Sequence, residues 1–311
     1  MNGVATLPAR ARPTCQALAA DLRPLFEARR LFRRPDSLAA AIADPVSARA
    51  AARSLLQSVV PFEARAGGAM PAPPQAVELR EIVPTRGACA DIVYLHGGGL
   101  VFHDVDLFRP VLEQIGRAAQ RGVYALDYPK APEQEPRATI QAIGLALRRY
   151  ASATGRPFIL AGDSIGGLLA LHFALTAPAG CLARLVLIYP ALNVQDECHF
   201  ESYDKFGSGY MLDADFMGWF RALARGGLPE AFDPLRLTDA ELDRLPPLFI
   251  ASAECDVLAD EAAAFARDLE RRGQPLSHRV HLGMPHDFLL YGRRSACAAG
   301  AIEELIAACF A

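Results

Sequence analysis

The stretch FILAGDSIGGLLALHFAL, residues 158–175, decides the fold. It begins apolar, breaks at Asp163 and Ser164, and resumes as a longer apolar run. The first run has the length of a buried strand and the second that of a helix, which puts Ser164 at the tip of the turn between them. Gly162, Ser164 and Gly166 spell G-x-S-x-G. A strained strand-to-helix turn is a place where a serine nucleophile is held. A glycine-rich connection with an incidental serine has the same letters, so the rest of the chain must supply the partners.

A serine hydroxyl is a weak nucleophile and needs a base, usually a histidine oriented by a carboxylate. Loops that follow parallel strands share one edge of the sheet. Downstream, FIASAECDVLADEAAAF places Asp256 directly after a strand, and VHLGMPHDFLLY places His286 three residues past a strand ending near Gly283. Glu254 falls within the strand end, while Asp260 and Glu261 read as solvated charges in the first turn of the next helix. His278 and His281 lie on a strand and read as structural. An Asp at a helix start is by itself as readable as an N-cap, and a lone loop histidine as incidental. Their joint occurrence in the order Ser164, Asp256, His286 reverses that. Upstream, His96-Gly97-Gly98-Gly99 closes another strand. The N–H groups of Gly97 and Gly98, with that of Ile165, are the expected donors to a developing oxyanion. His96 is expected to brace this loop and not to act as base.

Strands are predicted at 76–83, 91–97, 122–128, 158–164, 184–190, 247–255 and 276–283, with helices near 106–121, 136–152, 165–177, 257–272 and 293–309. That alternation implies βαβ units, a mostly parallel central sheet and helices on both faces, hence an α/β fold. Two regions fall outside the rhythm. Residues 1–65 read as an N-terminal helical cap segment, and 192–246 as a helical insertion between core segments 66–191 and 247–311. The insertion carries Phe200, Tyr203, Phe206, Tyr210, Phe216, Trp219 and Phe220. Ligands of open α/β sheets bind beyond the carboxyl ends of the strands, so these aromatics predict a lid, with a satellite core as the equal reading for any one of them.

The chain has 311 residues, is 52% hydrophobic and 22% charged, and carries a formal net charge of −3. That composition suits a globular protein and offers no electrostatic footprint for nucleic acid. The basic stretch at 28–34 has Asp21, Glu27 and Asp36 nearby and reads as a solvated helix face. Seven scattered cysteines lack C-x-x-C spacing, which predicts reduced thiols, and neither a Sec-type leader nor a membrane span is evident. A cytoplasmic protein is the expectation.

Over residues 77–300 the sequence resembles the hormone-sensitive-lipase-like family of microbial esterases, which have the α/β-hydrolase fold. The resemblance rests on YLHGGGLVF, ALDYPKAPEQ, LAGDSIGGLLA, YMLDADFMGWF, LPPLFIASAECDVLADEAAAFARDLERRG and GMPHDF. It implies a carboxylic-ester hydrolase without metal or cofactor, acting on a small ester. By that match Ser164 is the nucleophile, His286 the general base and acid, and Asp256 the orienting carboxylate. A homodimer is a family habit. Departures from the family pattern include Ile165 for alanine, Leu100 for an aromatic, His103 and Asp104 after HGGG, Lys130 and Glu135 in the segment after it, and Asp287 for glycine. Ile165 and the aromatic insertion predict short acyl groups. Rival readings are an amidase or N-formyl hydrolase, a dedicated biosynthetic deacylase, and a non-catalytic receptor of the same fold; the presence of His286 argues against the last.

Overall fold

The computed structural model describes residues 18–22, 35–59 and 76–310, apart from 86, 88 and 197. The predicted apolar runs pair into one sheet of β1 (Glu78–Val83), β2 (Ile92–Leu95), β3 (Val123–Asp127), β4 (Phe158–Asp163), β5 (Leu182–Ile188), β6 (Leu248–Cys255) and β7 (Leu276–Pro285). Their spatial order is β1-β3-β2-β4-β5-β6-β7. β1 runs antiparallel to β3, and every other neighbouring pair is parallel. β2 and β4 are buried along their whole length, as expected of strands covered on both faces. β7 runs two residues beyond its predicted end, which leaves His286 directly after the strand.

Helices α1 (Pro35–Ala43) and α2 (Pro45–Val59) precede the sheet. The other predicted parts of the N-terminal segment, 1–17, 23–34 and 60–65, lie outside the described residues. Between strands run α3 (Val105–Ala119), α4 (Pro136–Thr154) and α5 (Ile165–Thr176). After β5 come α6 (Glu201–Phe206), α7 (Ala214–Gly227) and the short α8 (Asp239–Leu242), then α9 (Ala259–Arg271) and α10 (Ala296–Cys309). Helix α5 is apolar all round and nearly every residue in it is buried, because it packs against β2, β4 and β5 at once. No helix among the described residues is long and apolar enough to cross a membrane.

Apolar side chains gather into a cluster on each side of the sheet. One joins Tyr94, Phe108, Ile188, Phe288 and Leu305; the other joins Leu95, Leu160, Leu169, Leu187 and Phe265. A third cluster packs Ala41 and Ala52 of the N-terminal helices against Val101 and Phe102 after HGGG and against Leu212, Phe216 and Met217 of the insertion. Arg49 and Arg53 of α2 pair with Glu133 and Asp104 in loops at the same edge. Both extra segments therefore converge on the carboxyl ends of β2, β4, β6 and β7, where the predicted chemical residues lie.

Two glycines separate packing from propensity. Gly144 lies within α4 with open space around it, so Gly144→Ala is expected to stabilise by about 0.5–1 kcal/mol. A Cβ on Gly166 would overlap the Leu95 carbonyl oxygen, so Gly166→Ala is expected to destabilise by about 3 kcal/mol or more. Urea midpoints of the two variants check both signs.

Candidate active site

Ser164 has φ 54° and ψ −121°, a strained conformation imposed where β4 turns abruptly into α5. The surroundings hold it firmly. Its N–H donates to Ile188 O at 2.9 Å, and its carbonyl accepts from Gly167, Leu168 and Ala191 N–H. Neither Gly162 nor Gly166 has room for a side chain: a Cβ on the first would overlap Gly166, and one on the second Leu95.

The Ser164 Oγ lies 3.0 Å from His286 Nε2, and His286 Nδ1 lies 2.7 Å from Asp256 Oδ2. The other Asp256 oxygen accepts the Leu258 N–H at 3.0 Å. With a carboxylate against Nδ1, the proton of a neutral imidazole belongs there, which leaves the Nε2 lone pair facing the serine. All three residues are buried. Burial pulls the His286 pKa down, but the Asp256 and Asp287 carboxylates and the Asp256 hydrogen bond outweigh it and lift the pKa to about 9. The three residues singled out from sequence order thus come together across β4, β6 and β7.

The residues expected as oxyanion donors are not placed alike. The Gly97 N–H already donates to Asp163 Oδ1 at 2.8 Å, and Gly97 borders no cavity at Ser164. Gly98 and Gly99 do border a cavity there, at φ 107° and 64°, and Ile165 borders the other. Gly99, in the same HGGG run, borders both cavities, a placement the sequence reading does not single out. His96 braces the loop as expected: its Nδ1 lies 2.8 Å from Gly97 O and its ring stacks on Tyr128.

Two cavities meet at Ser164. The larger, about 70 Å³, is lined by Gly98, Phe102, Phe216, Phe220, His286 and Asp287 among others. The smaller, about 20 Å³, is lined by Ile165, Leu168, Val194, Met217, Arg221 and Glu261 among others, and Gly99 and Phe220 border both. Phe216 and Phe220 are therefore cavity walls, whereas Tyr203 anchors the structure through Glu261 and Arg221.

Glu261 departs from its reading as a solvated charge. It is fully buried, accepting from the Tyr203 hydroxyl and from the N–H groups of Leu192 and Asn193 at 2.7 and 2.9 Å. Burial raises its pKa against those hydrogen bonds. Asp260 likewise accepts the Ser202 N–H at 2.9 Å. Lys130 is buried beside Asp127 and the Tyr128 carbonyl, away from the serine cavities. Among the described residues no group of three or more His, Cys, Asp or Glu side chains is arranged to hold a metal ion.

A family model described as the alpha/beta hydrolase fold matches residues 92–290. The chain is 34% identical over 219 residues to an ethyl acetate hydrolase of Pseudomonas putida, covering 66% of this chain and 68% of that protein. It is 29% identical over 252 residues to an acetyl esterase of Salmonella choleraesuis, covering 76% of each. Among solved structures, an esterase of Pyrobaculum calidifontis aligns with TM-score 0.74 at 25% identity over 93% of this chain and 97% of that one. A thermostable esterase of Pseudomonas putida aligns with TM-score 0.72 at 23% identity over 93% and 95%. The chain belongs to the α/β-hydrolase-fold family, in its hormone-sensitive-lipase-like branch. It is a carboxylesterase-type serine hydrolase.

Asp163, inside the G-x-S-x-G turn, generates a signed prediction. It is fully buried, one oxygen accepts from Tyr94 and Gly97, and the other has no partner among the described residues. Burial lifts its pKa to about 7, against the hydrogen bonds that favour its charge. The native state then holds a proton that the unfolded chain has released between about pH 4 and about 7. Stability relative to Asp163→Asn should therefore fall as pH rises through that window and level off above it. Paired urea titrations at pH 4, 5.5, 7 and 8 test this, and a flat difference contradicts it.

Proposed function

We propose that Ser164, His286 and Asp256 form the catalytic triad of an esterase that acts on short acyl esters. The observation carrying this reading is the hydrogen-bonded relay from Asp256 through His286 to Ser164, at the junction of two unequal cavities. His286 Nε2 takes the Ser164 proton as Oγ attacks the ester carbonyl carbon. The developing oxyanion meets the N–H groups of Gly98, Gly99 and Ile165. Collapse breaks the bond to the alcohol oxygen, which takes its proton from His286. Water then gives a proton to His286 and attacks the acyl-serine carbonyl carbon; the bond to Oγ breaks, Ser164 takes that proton back from His286, and the acid leaves.

The direction of proton transfer assigns the cavities. The departing alkoxide must reach His286 Nε2, so the alcohol occupies the larger cavity, which His286 lines. The acyl group takes the smaller one, walled by Ile165 and closed by Arg221 and Glu261. About 20 Å³ accommodates roughly one or two water-sized groups, which fits acetyl and propionyl better than longer chains. The names of the relatives, ethyl acetate hydrolase and acetyl esterase, point the same way.

For a 4-nitrophenyl ester series, kcat/KM should be highest at acetyl or propionyl and fall steeply by octanoyl. Ser164→Ala should lower turnover by about 10⁴-fold or more. A decanoyl ester outperforming acetyl would sink the short-acyl assignment, and residual turnover within tenfold of wild type would sink the nucleophile. Because His286 must be neutral to accept the proton, kcat/KM should rise with pH through its raised pKa. A profile already flat at pH 6 would contradict that.

A further inference from the structure

The larger cavity has a wall that ester hydrolysis alone does not require. Asp287 follows His286, is 5% exposed and lines the cavity beside Ser164. No hydrogen-bond donor reaches its carboxylate among the described residues, and within ion-pair range it faces only His286 Nε2, at 3.8 Å. Its φ of 59° is a conformation that Asp and Asn tolerate better than most side chains. Among the described residues, the other charged or titratable ones lining the cavity are Asp213, His103 and His286, with neither lysine nor arginine. Asp163 lies behind the cavity and adds to the negative field at His286.

Opposite these acids stand three phenylalanines. Phe102 lies 6.3 Å from Phe216 and 6.0 Å from Phe220, and Phe216 lies 5.9 Å from Phe220, centroid to centroid. All three line the same cavity, and Trp219 packs against them. A buried carboxylate lacking a donor is costly, and a neutral alkyl alcohol filling the cavity would remove its remaining water without replacing it. An anionic alcohol would meet repulsion. An organic ammonium group gains from both walls, pairing with the carboxylate and lying against ring faces.

Resting on the esterase reading above, we propose that this cavity selects esters whose alcohol carries a cationic ammonium group, with Asp287 as the specificity-determining residue. The ester carbonyl sits at Ser164, and the ammonium lies between Asp287 and the Phe102, Phe216 and Phe220 rings.

The test compares acetylcholine with its uncharged isostere 3,3-dimethylbutyl acetate, with phenyl acetate as a neutral reference. Wild type should favour acetylcholine in kcat/KM by about tenfold, and Asp287→Asn should bring the ratio close to one. The ratio is the readout because any effect of Asp287 on His286 acts on both esters. Direct calorimetric titration with choline and with 3,3-dimethylbutan-1-ol is independent of turnover and of Ser164. Wild type should bind choline more tightly, and Asp287→Asn should lose that difference while keeping its thermal transition. Equal binding of the two alcohols by wild type, or a choline preference that survives Asp287→Asn, overturns the proposal. If phenyl acetate is cleaved by wild type and not by Ser164→Ala while acetylcholine is not preferred, the cation assignment fails and the esterase reading stands. If phenyl acetate is not cleaved, the esterase reading fails, and the calorimetry still decides whether the cavity holds a cation.

Discussion

The site depends on the side-chain-free approach of the start of α5 to the ends of β2 and β4. Gly166 faces the Leu95 and His96 carbonyls, and Gly162 faces Gly166 itself. Any side chain there would push the helix off the sheet and relax the turn that carries Ser164. The same contact fixes the HGGG loop, because β2 is the neighbour of β4 and its loop leaves at the same edge. Gly97 is pressed against Asp163 and the Ser164 Cβ, so the following two glycines are delivered beside the nucleophile without any long-range device. One backbone constraint thus places both Ser164 and the Gly98–Gly99 backbone proposed to receive the oxyanion, and the parallel sheet brings Asp256 and His286 to the serine.

Around His286 lie three carboxyl groups whose hydrogen bonding separates their behaviour. Asp256 has the Leu258 N–H on one oxygen and the imidazole on the other. Asp163 has the Tyr94 hydroxyl and Gly97 N–H on a single oxygen, and its pKa is lifted to about 7 by burial. Among the described residues Asp287 faces only the imidazole and the cavity. Burying three full negative charges against one imidazole would be strongly unfavourable. Raising the pKa of Asp163 removes much of that cost. The high His286 pKa belongs to the same balance, since imidazolium is the counter-charge available inside the cluster.

The sheet was legible because near-continuous apolar runs between glycine-bearing turns permit few alternatives, and Ser164, Asp256 and His286 were legible from their order after strands. Strand order beyond parallel pairing was not read from the sequence, since it depends on contacts between distant segments. Glu261 illustrates what local reasoning misses. At a helix start an acid is ordinarily solvated, and its burial here follows from Tyr203 and the Leu192–Asn193 backbone, which lie 58 to 69 positions away. Gly97 shows the same limit: its N–H donates to Asp163, a partner 66 positions away inside the serine motif that local reasoning does not supply.

Helix α7 explains why the two cavities differ. Phe216 and Phe220 are one turn apart and wall the larger cavity, whereas Met217, Arg221 and Ala224 form the adjacent strip and wall the smaller one. Phe220 borders both cavities and packs so closely on Gly99 that a Cβ there would collide with its ring. The divider between the two cavities therefore rests on the HGGG loop. Arg221 fixes the helix by reaching Asp196 and the Tyr203 hydroxyl, and Gly227 fits against Pro136 and Ile140 of α4 at its far end. A rigid-body shift of α7 would change both pockets and the oxyanion loop together. On the proposed cavity assignment, selectivity toward the two halves of the ester is coupled through one helix, and substitutions along either strip should alter acyl and alcohol preference jointly.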